Sequence, residues 1–262
     1  MLRIASRNNP RLREASRLVA SARDRRKAGK CVLEGEHLVT AYAQRYGAPE
    51  TIVIAEPYAD RPAIAALARR FDDRALVVPE AVFDELAVLP SGVAMLAVVA
   101  TPSPRASRGG AFCLLLDDVQ DPGNVGSMLR SAAAAGASDA WLSKSCAFAW
   151  SPKVLRAGMG AHFALDIHED VDLVEWAGGY RARGGTVVAL VRDGGESLFD
   201  VALERPLALC VGNEGGGLSP GLVAASSVRA TIPMPGATES LNAAAAAAVA
   251  LFECVRRFRA SA

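Results

Sequence analysis

The residues able to do chemistry fall on three polar stretches. The first follows the apolar run Leu114–Leu116 and reads Asp117, Asp118, Val119, Gln120, Asp121, Pro122, Gly123, Asn124, with Arg130 six residues further on in a helical pattern. The second is the glycine-rich turn Gly212–Gly217, which carries Asn213 and Glu214. The third holds Glu239, Ser240 and Asn242 within IPMPGATESLNAAAAAAVALFE, residues 232–253. A buried strand opening into a polar turn and then a helix is where open α/β sheets hold ligands. Glycines let a backbone approach a ligand closely. Arg130 is a permanent cation whose planar fork suits phosphate. Any one of these residues has a plain structural reading; Asn124, for instance, could simply cap its helix. As a set they predict a site that orients a reacting group by hydrogen bonds and one cation.

Other chemistries lack their residues. His37, His162 and His168 are scattered without metal-ligand spacing, so no metal is expected. GNEGGG departs from the dinucleotide pattern GxGxxG, and GxxxxGK[ST] does not occur. The five cysteines, at 31, 113, 146, 210 and 254, are odd in number and widely spaced. They form no disulfide or zinc framework and predict a reducing compartment. With no long apolar run at the N-terminus, no signal peptide or membrane helix is expected, and a cytoplasmic protein is.

The elements that must position these residues are short strands alternating with helices. In the second half the candidate strands are 112–116, 139–142, 164–167, 186–191, 207–211 and 228–232. The candidate helices lie near 124–135, 152–158, 170–183, 219–225 and 240–259. In the first half a helix over 10–28 precedes strands at 31–33, 51–55, 75–78 and 93–100, with helices from about 34, over 61–71 and over 79–89. This alternation predicts α/β architecture throughout. TPSPRASRGG at 101–110 interrupts it with proline, serine and paired glycine. It reads as a linker, separating a domain over 1–100 from one over 111–262.

The net charge of +1 hides an asymmetry. The first thirty residues hold ten basic side chains against two acidic ones, a net of +8, which leaves −7 for the rest. A basic arm on an acidic body points to a polyanionic partner; the plainer alternative is a solvated helix face.

DPGNVGSMLRSAAAAGA (121–137), VGNEGGGLS (211–219) and IPMPGATESLNAAAAAAVALFE (232–253) resemble, in order and spacing, the three motifs of the SpoU (TrmH-like) RNA ribose 2′-O-methyltransferases of the SPOUT superfamily. SPKVLRAGMGAHF (151–163) resembles the stretch between the first two, and the likeness spans about 112–258. Residues 1–100 resemble more weakly the ribosomal-protein-like RNA-binding domain often attached to that family. The resemblance implies a C-terminal α/β trefoil knot, a homodimer, S-adenosylmethionine as methyl donor and structured RNA as substrate, rRNA more than tRNA. It places Asn124, Arg130, Glu214, Ser240 and Asn242 at catalytic or RNA-site positions. It places Leu190, Gly212, Asn213, Glu214, Gly217, Ile232, Met234, Ser240 and Leu241 around the cofactor. Arg11, Arg13, Arg17, Arg23, Arg25 and Arg26 are the RNA-binding candidates of the basic arm. Asn124, Ser240 and Asn242 would orient Arg130 and the ribose. Two roles stay open for Arg130: accepting the hydroxyl proton, which a guanidinium does poorly, or clamping a phosphate. Two departures stand out: Asn213 replaces the usual Ser or Ala, and Ala243–Ala244 replace the usual Val–Ser after SLN. The rivals are an RNA-binding homologue without activity and an enzyme acting on a free nucleotide.

Overall fold

A computed structural model describes residues 2–4, 6–86, 93–107 and 109–260. The first part of the chain forms β1 (Leu2–Arg3), α1 (Pro10–Ala20), α2 (Ala22–Ala28), β2 (Lys30–Glu34), α3 (Glu36–Tyr46), β3 (Thr51–Ala55), α4 (Pro62–Arg70), β4 (Ala75–Val78), α5 (Glu80–Asp84) and β5 (Met95–Ala100). The remainder forms β6 (Phe112–Leu116), α6 (Pro122–Ala134), β7 (Asp139–Leu142), α7 (Pro152–Gly158), β8 (Asp166–His168), α8 (Leu173–Ala182), β9 (Thr186–Leu190), β10 (Glu196–Ser197), β11 (Leu207–Val211), α9 (Pro220–Ala225), β12 (Val228–Thr231) and α10 (Ala243–Ala260). Two compact units result: Met1–Pro102 with Trp150–Phe163, and Ser103–Ala149 with Ala164–Ala262. Residues 150–163, including α7, thus cluster with the first unit, although they interrupt the second in sequence.

The first unit is built on a five-stranded sheet in the order β1-β4-β3-β5-β2, in which β5 runs antiparallel to both neighbours. Its core on one face joins Leu12 and Leu18 of α1 and Phe83 of α5 to Val32, Val53 and Leu96. The single helix expected over 10–28 is two helices. Ser21 is extended, and its Oγ accepts from the Asp24 amide at 3.1 Å, so it ends α1 and caps α2. The break leaves carbonyls of α1 open, and Arg25 answers them: its Nη1 donates to Leu18 O at 2.5 Å and Val19 O at 2.9 Å. Arg25 is 6% exposed, and burial lowers its pKa from the usual arginine range. Arg25 therefore leaves the set of RNA candidates, because its guanidinium is spent inside the unit. Arg11, Arg13, Arg17, Arg23 and Arg26 are exposed, with Arg11 also donating to Asp73 O at 3.0 Å. The helix expected over 79–89 is short, and residues 87–89 lie outside the described residues.

The second unit is organised by a seven-stranded parallel sheet in the order β10-β12-β9-β11-β6-β7-β8. β6 and β11 are buried at every position, as central parallel strands must be when both faces are covered. On one face Cys113, Leu115, Ala208 and Cys210 pack against Leu173, Ala177 and Tyr180 of α8 and Leu222 of α9. On the other lie α6 and α10, which touch each other; Phe258 of α10 meets Phe112 edge-on at 5.1 Å between centroids. Chain leaving β6 passes to β7 on one side, while chain leaving β11 passes over β9 to β12 on the other. Strand order reverses there, and a crevice opens at the carboxyl ends of β6 and β11. The strand expected over 164–167 sits at Asp166–His168.

Candidate active site

The crevice is built from the ends of β6 and β11. Beyond β6, the Asp117 amide donates to Val211 O at 2.9 Å, extending the ladder by one residue. Asp121 then caps α6: its Oδ1 accepts from the Asn124 amide at 2.7 Å, with Pro122 at the first helical position. This fixes Asn124 in the first turn of α6. Its Nδ2 donates to Glu214 Oε1 at 2.8 Å, and its Oδ1 accepts from Asn242 Nδ2 at 3.1 Å. Asn242 in turn caps α10, its Oδ1 accepting from the Ala244 and Ala245 amides at 2.9 and 3.2 Å. The start of α10 is thus satisfied without a hydroxyl at position 244. Three stretches separated by 90 and 118 residues meet in one Glu214–Asn124–Asn242 chain of hydrogen bonds. A carboxylate at one end and a helix cap at the other leave the Asn124 amide a single orientation.

The glycine loop after β11 is closed on itself. Asn213 and Gly217 exchange two backbone hydrogen bonds, each 2.9 Å. Inside the loop Asn213 Oδ1 accepts from the Gly215 and Gly216 amides at 2.8 and 2.9 Å. Gly217 has φ +70°, a region glycine enters freely. Gly212 is required for space: a Cβ there would fall on the Gly217 carbonyl and the Leu218 nitrogen. Between this loop, the end of β9 and residues 232–246 lies a cleft of about 380 Å³. Leu190, Gly212, Asn213, Glu214, Gly217, Ile232, Met234, Ser240 and Leu241 all line it. Arg192, Asp193 and Leu218 line it too and were not anticipated. The first two follow the strand end at Leu190; Arg192 Nε and Asp193 Oδ2 pair at 2.7 Å.

Arg130 stands apart. It is exposed, and it makes no hydrogen bond or ion pair among the described residues. Six residues of α-helix place it about 9 Å along the axis and about 120° round from Asn124. Asn124 and Asn242 spend their amides on Glu214, on each other and on α10, so they do not orient Arg130 within one chain. Ser240 faces the cleft without a hydrogen bond among the described residues. No cluster of His, Cys, Asp or Glu that could hold a metal occurs among the described residues.

A parallel α/β sheet, a closed glycine loop at its carboxyl end and a hydrogen-bonded triad across three motifs can be set beside known proteins. The sequence profile of the SpoU rRNA Methylase family matches residues 111–252. The chain belongs to the SpoU family. An uncharacterized tRNA/rRNA methyltransferase of Synechocystis is 31% identical over 97% of this chain and 93% of its own length. A 23S rRNA (guanosine(2553)-2′-O)-methyltransferase of Bacillus subtilis is 27% identical over 96% of this chain and 98% of its own. Among solved structures, the SpoU methyltransferase AviRb of Streptomyces viridochromogenes, in complex with AdoMet, superposes with a TM-score of 0.84 at 26% identity, covering 97% of this chain and 100% of that one. The mixed α/β fold with a parallel sheet is that of SpoU methyltransferases.

Proposed function

We propose that this chain transfers a methyl group from S-adenosylmethionine to the 2′-oxygen of a ribose in a structured RNA, with rRNA as the substrate class ahead of tRNA. The observation that carries the reading is the Glu214–Asn124–Asn242 network at the edge of a cleft formed by the glycine loop. The relatives named as 23S rRNA 2′-O-methyltransferases support the choice of RNA class. The cleft suits the cofactor on its own terms. At about 380 Å³ it is of small-molecule size. Leu190, Ile232 and Leu241 offer apolar surface to a flat ring, and the loop's glycines bring backbone carbonyls close to polar edges. When bound there, S-adenosylmethionine supplies an electrophilic methyl on a cationic sulfur.

The chain's own residues do the rest. Asn124 and Asn242, each fixed by its partners, present the polar edge against which a ribose is oriented. Holding the hydroxyl oxygen in line with the methyl supplies much of the acceleration. Arg130, exposed and without a partner among the described residues, has its charge available for a backbone phosphate. We read it as a phosphate clamp that eases loss of the hydroxyl proton to solvent, since a guanidinium is a very poor base. In the first unit, exposed Arg11, Arg13, Arg17, Arg23 and Arg26 form the phosphate-binding surface.

The reading includes a homodimer. Ala245, Val249 and Phe252 lie along one exposed face of α10, with Val249 37% and Phe252 50% exposed. Such an apolar stripe suits a self-complementary contact. The reading also includes the trefoil knot, in keeping with the return of the segment after β12 to Asn124 and α6. A cytoplasmic location accords with the free cysteines, and no helix among the described residues is long and apolar enough to cross a membrane.

The test is chemical. A ribose methylated at its 2′-oxygen can no longer attack the adjacent phosphate, so that linkage resists alkaline hydrolysis. RNA incubated with the protein and S-adenosylmethionine should yield one alkali-resistant dinucleotide. Methyl incorporation that alkali leaves on single nucleotides would place the methyl on a base and contradict the reading.

A further inference from the structure

Two adjacent residues outside the network, Asp117 and Asp118, hold both ends of the glycine loop. At the exit of the loop, the Ser219 amide donates to Asp117 Oδ2 at 2.8 Å across 102 residues of sequence. Asp117 is 8% exposed, and its own amide is locked to Val211 O at 2.9 Å. At the entry, Asn213 Nδ2 donates to Asp118 O at 2.9 Å. That carbonyl is aimed by an uncommon backbone conformation, φ +56° at Asp118, one that Asp tolerates better than most side chains. The Asp118 amide is itself held by Ser143 Oγ at 2.9 Å. Asn213 thereby uses both ends of its amide: Oδ1 ties the loop internally, and Nδ2 ties it to the turn after β6. A Ser or an Ala at position 213 could not do both.

We infer that Asp117 and Asp118 are positioning residues that preorganise the glycine loop for the cofactor, with Asn213 as the link. The inference rests on the proposed function. Neither aspartate lines the cleft, so their effect reaches the cofactor through the loop. A preformed loop does not have to be ordered when the ligand arrives, and that ordering would otherwise be subtracted from affinity.

The experiment uses the full chain with Asp117→Ala, Asp117→Asn, Asp118→Gly and Asp118→Val. Thermal unfolding confirms that each variant is folded. Calorimetry reads S-adenosylhomocysteine binding, steady-state kinetics read the cofactor KM and kcat, and hydrogen exchange reads residues 212–219 without any ligand. Loss of a charged acceptor from a partly buried amide should weaken binding by about tenfold or more in Asp117→Ala. The cofactor KM should rise in step while kcat at saturation stays within about threefold, the mark of lost binding and not of lost chemistry. Exchange in the loop should quicken. Asp117→Asn, which keeps an oxygen acceptor, should restore all three. Asp118→Gly, free to hold φ +56°, should bind more tightly than Asp118→Val, which is strained there. Wild-type protein that binds no S-adenosylhomocysteine overturns the proposed function and this inference together. Wild-type protein that binds it, with a folded Asp117→Ala variant showing equal affinity and unchanged exchange, overturns this inference alone.

Discussion

Gly212→Ala is expected to abolish useful cofactor affinity while leaving the fold intact. The added methyl would sit on the Gly217 carbonyl carbon and oxygen and on the Leu218 nitrogen, all backbone atoms with no rotamer to give way. Relief requires the loop to open, which breaks the two 2.9 Å hydrogen bonds between Asn213 and Gly217. At about 1 kcal/mol for each bond, plus residual overpacking of a similar size, the loop's binding-competent form loses about 2–4 kcal/mol. That corresponds to roughly 30- to 1000-fold in Kd. β11 is buried at every position, so the variant should still fold, with its unfolding midpoint lowered by several degrees for the same loss. Calorimetric titration of S-adenosylhomocysteine into wild-type and variant protein measures the ratio. A folded Gly212→Ala variant whose Kd lies within threefold of wild type would refute the argument that the loop's closed backbone forms the binding surface.

Arg130→Ala should lower methyl transfer by roughly 100- to 1000-fold with cofactor affinity unchanged, as loss of one charge-stabilising group does. Arg130→Lys should keep a measurable part of the rate if the role is a clamp; near-wild-type transfer by Arg130→Ala would remove Arg130 from the mechanism. Phe252→Asp should yield monomers in light scattering near the 27.3 kDa chain mass. Half a phenylalanine surface, about 100 Å² per copy, contributes about 5 kcal/mol across a two-fold interface, or more than roughly a thousand-fold in dimer affinity. An unchanged dimer would move the interface elsewhere. Replacing Arg13, Arg17 and Arg23 together by glutamine should weaken RNA binding and reduce the salt slope by about two to three units in log–log form. An unchanged slope would exclude this face of α1 and α2 from phosphate contact.

How much of this could be read from residues alone differs from element to element. The central strands were plain because burial on both faces writes them as unbroken apolar runs: Phe112–Leu116 and Leu207–Val211 stand where the pattern put them. β1 and β10, two residues each, are too short to show a period. The break at Ser21 was hidden because arginines continue the helical pattern on both sides. Only the structure shows that Arg25 turns inward to close the carbonyls of α1. At the site, residue types and order were legible, since glycines, Asn124 and Asn242 each carry a local meaning. Their pairing was not. That Asn124 takes Glu214 and Asn242 as partners, and not Arg130, depends on contacts across 90 and 118 residues. Asp117 and Asp118 were visible as polar residues after a strand, but what they hold lies about a hundred residues away in sequence.

Methyl transfer to RNA is read by incubating the protein and methyl-labelled S-adenosylmethionine with purified rRNA and with purified tRNA in separate reactions. Nucleosides are then resolved by mass spectrometry. Label is expected in rRNA, on a single 2′-O-methylated nucleoside, and absent when Asn124→Ala protein is used. Label confined to tRNA would overturn the substrate class. No label in either RNA, from folded protein that binds S-adenosylhomocysteine, would contradict RNA methylation as the function.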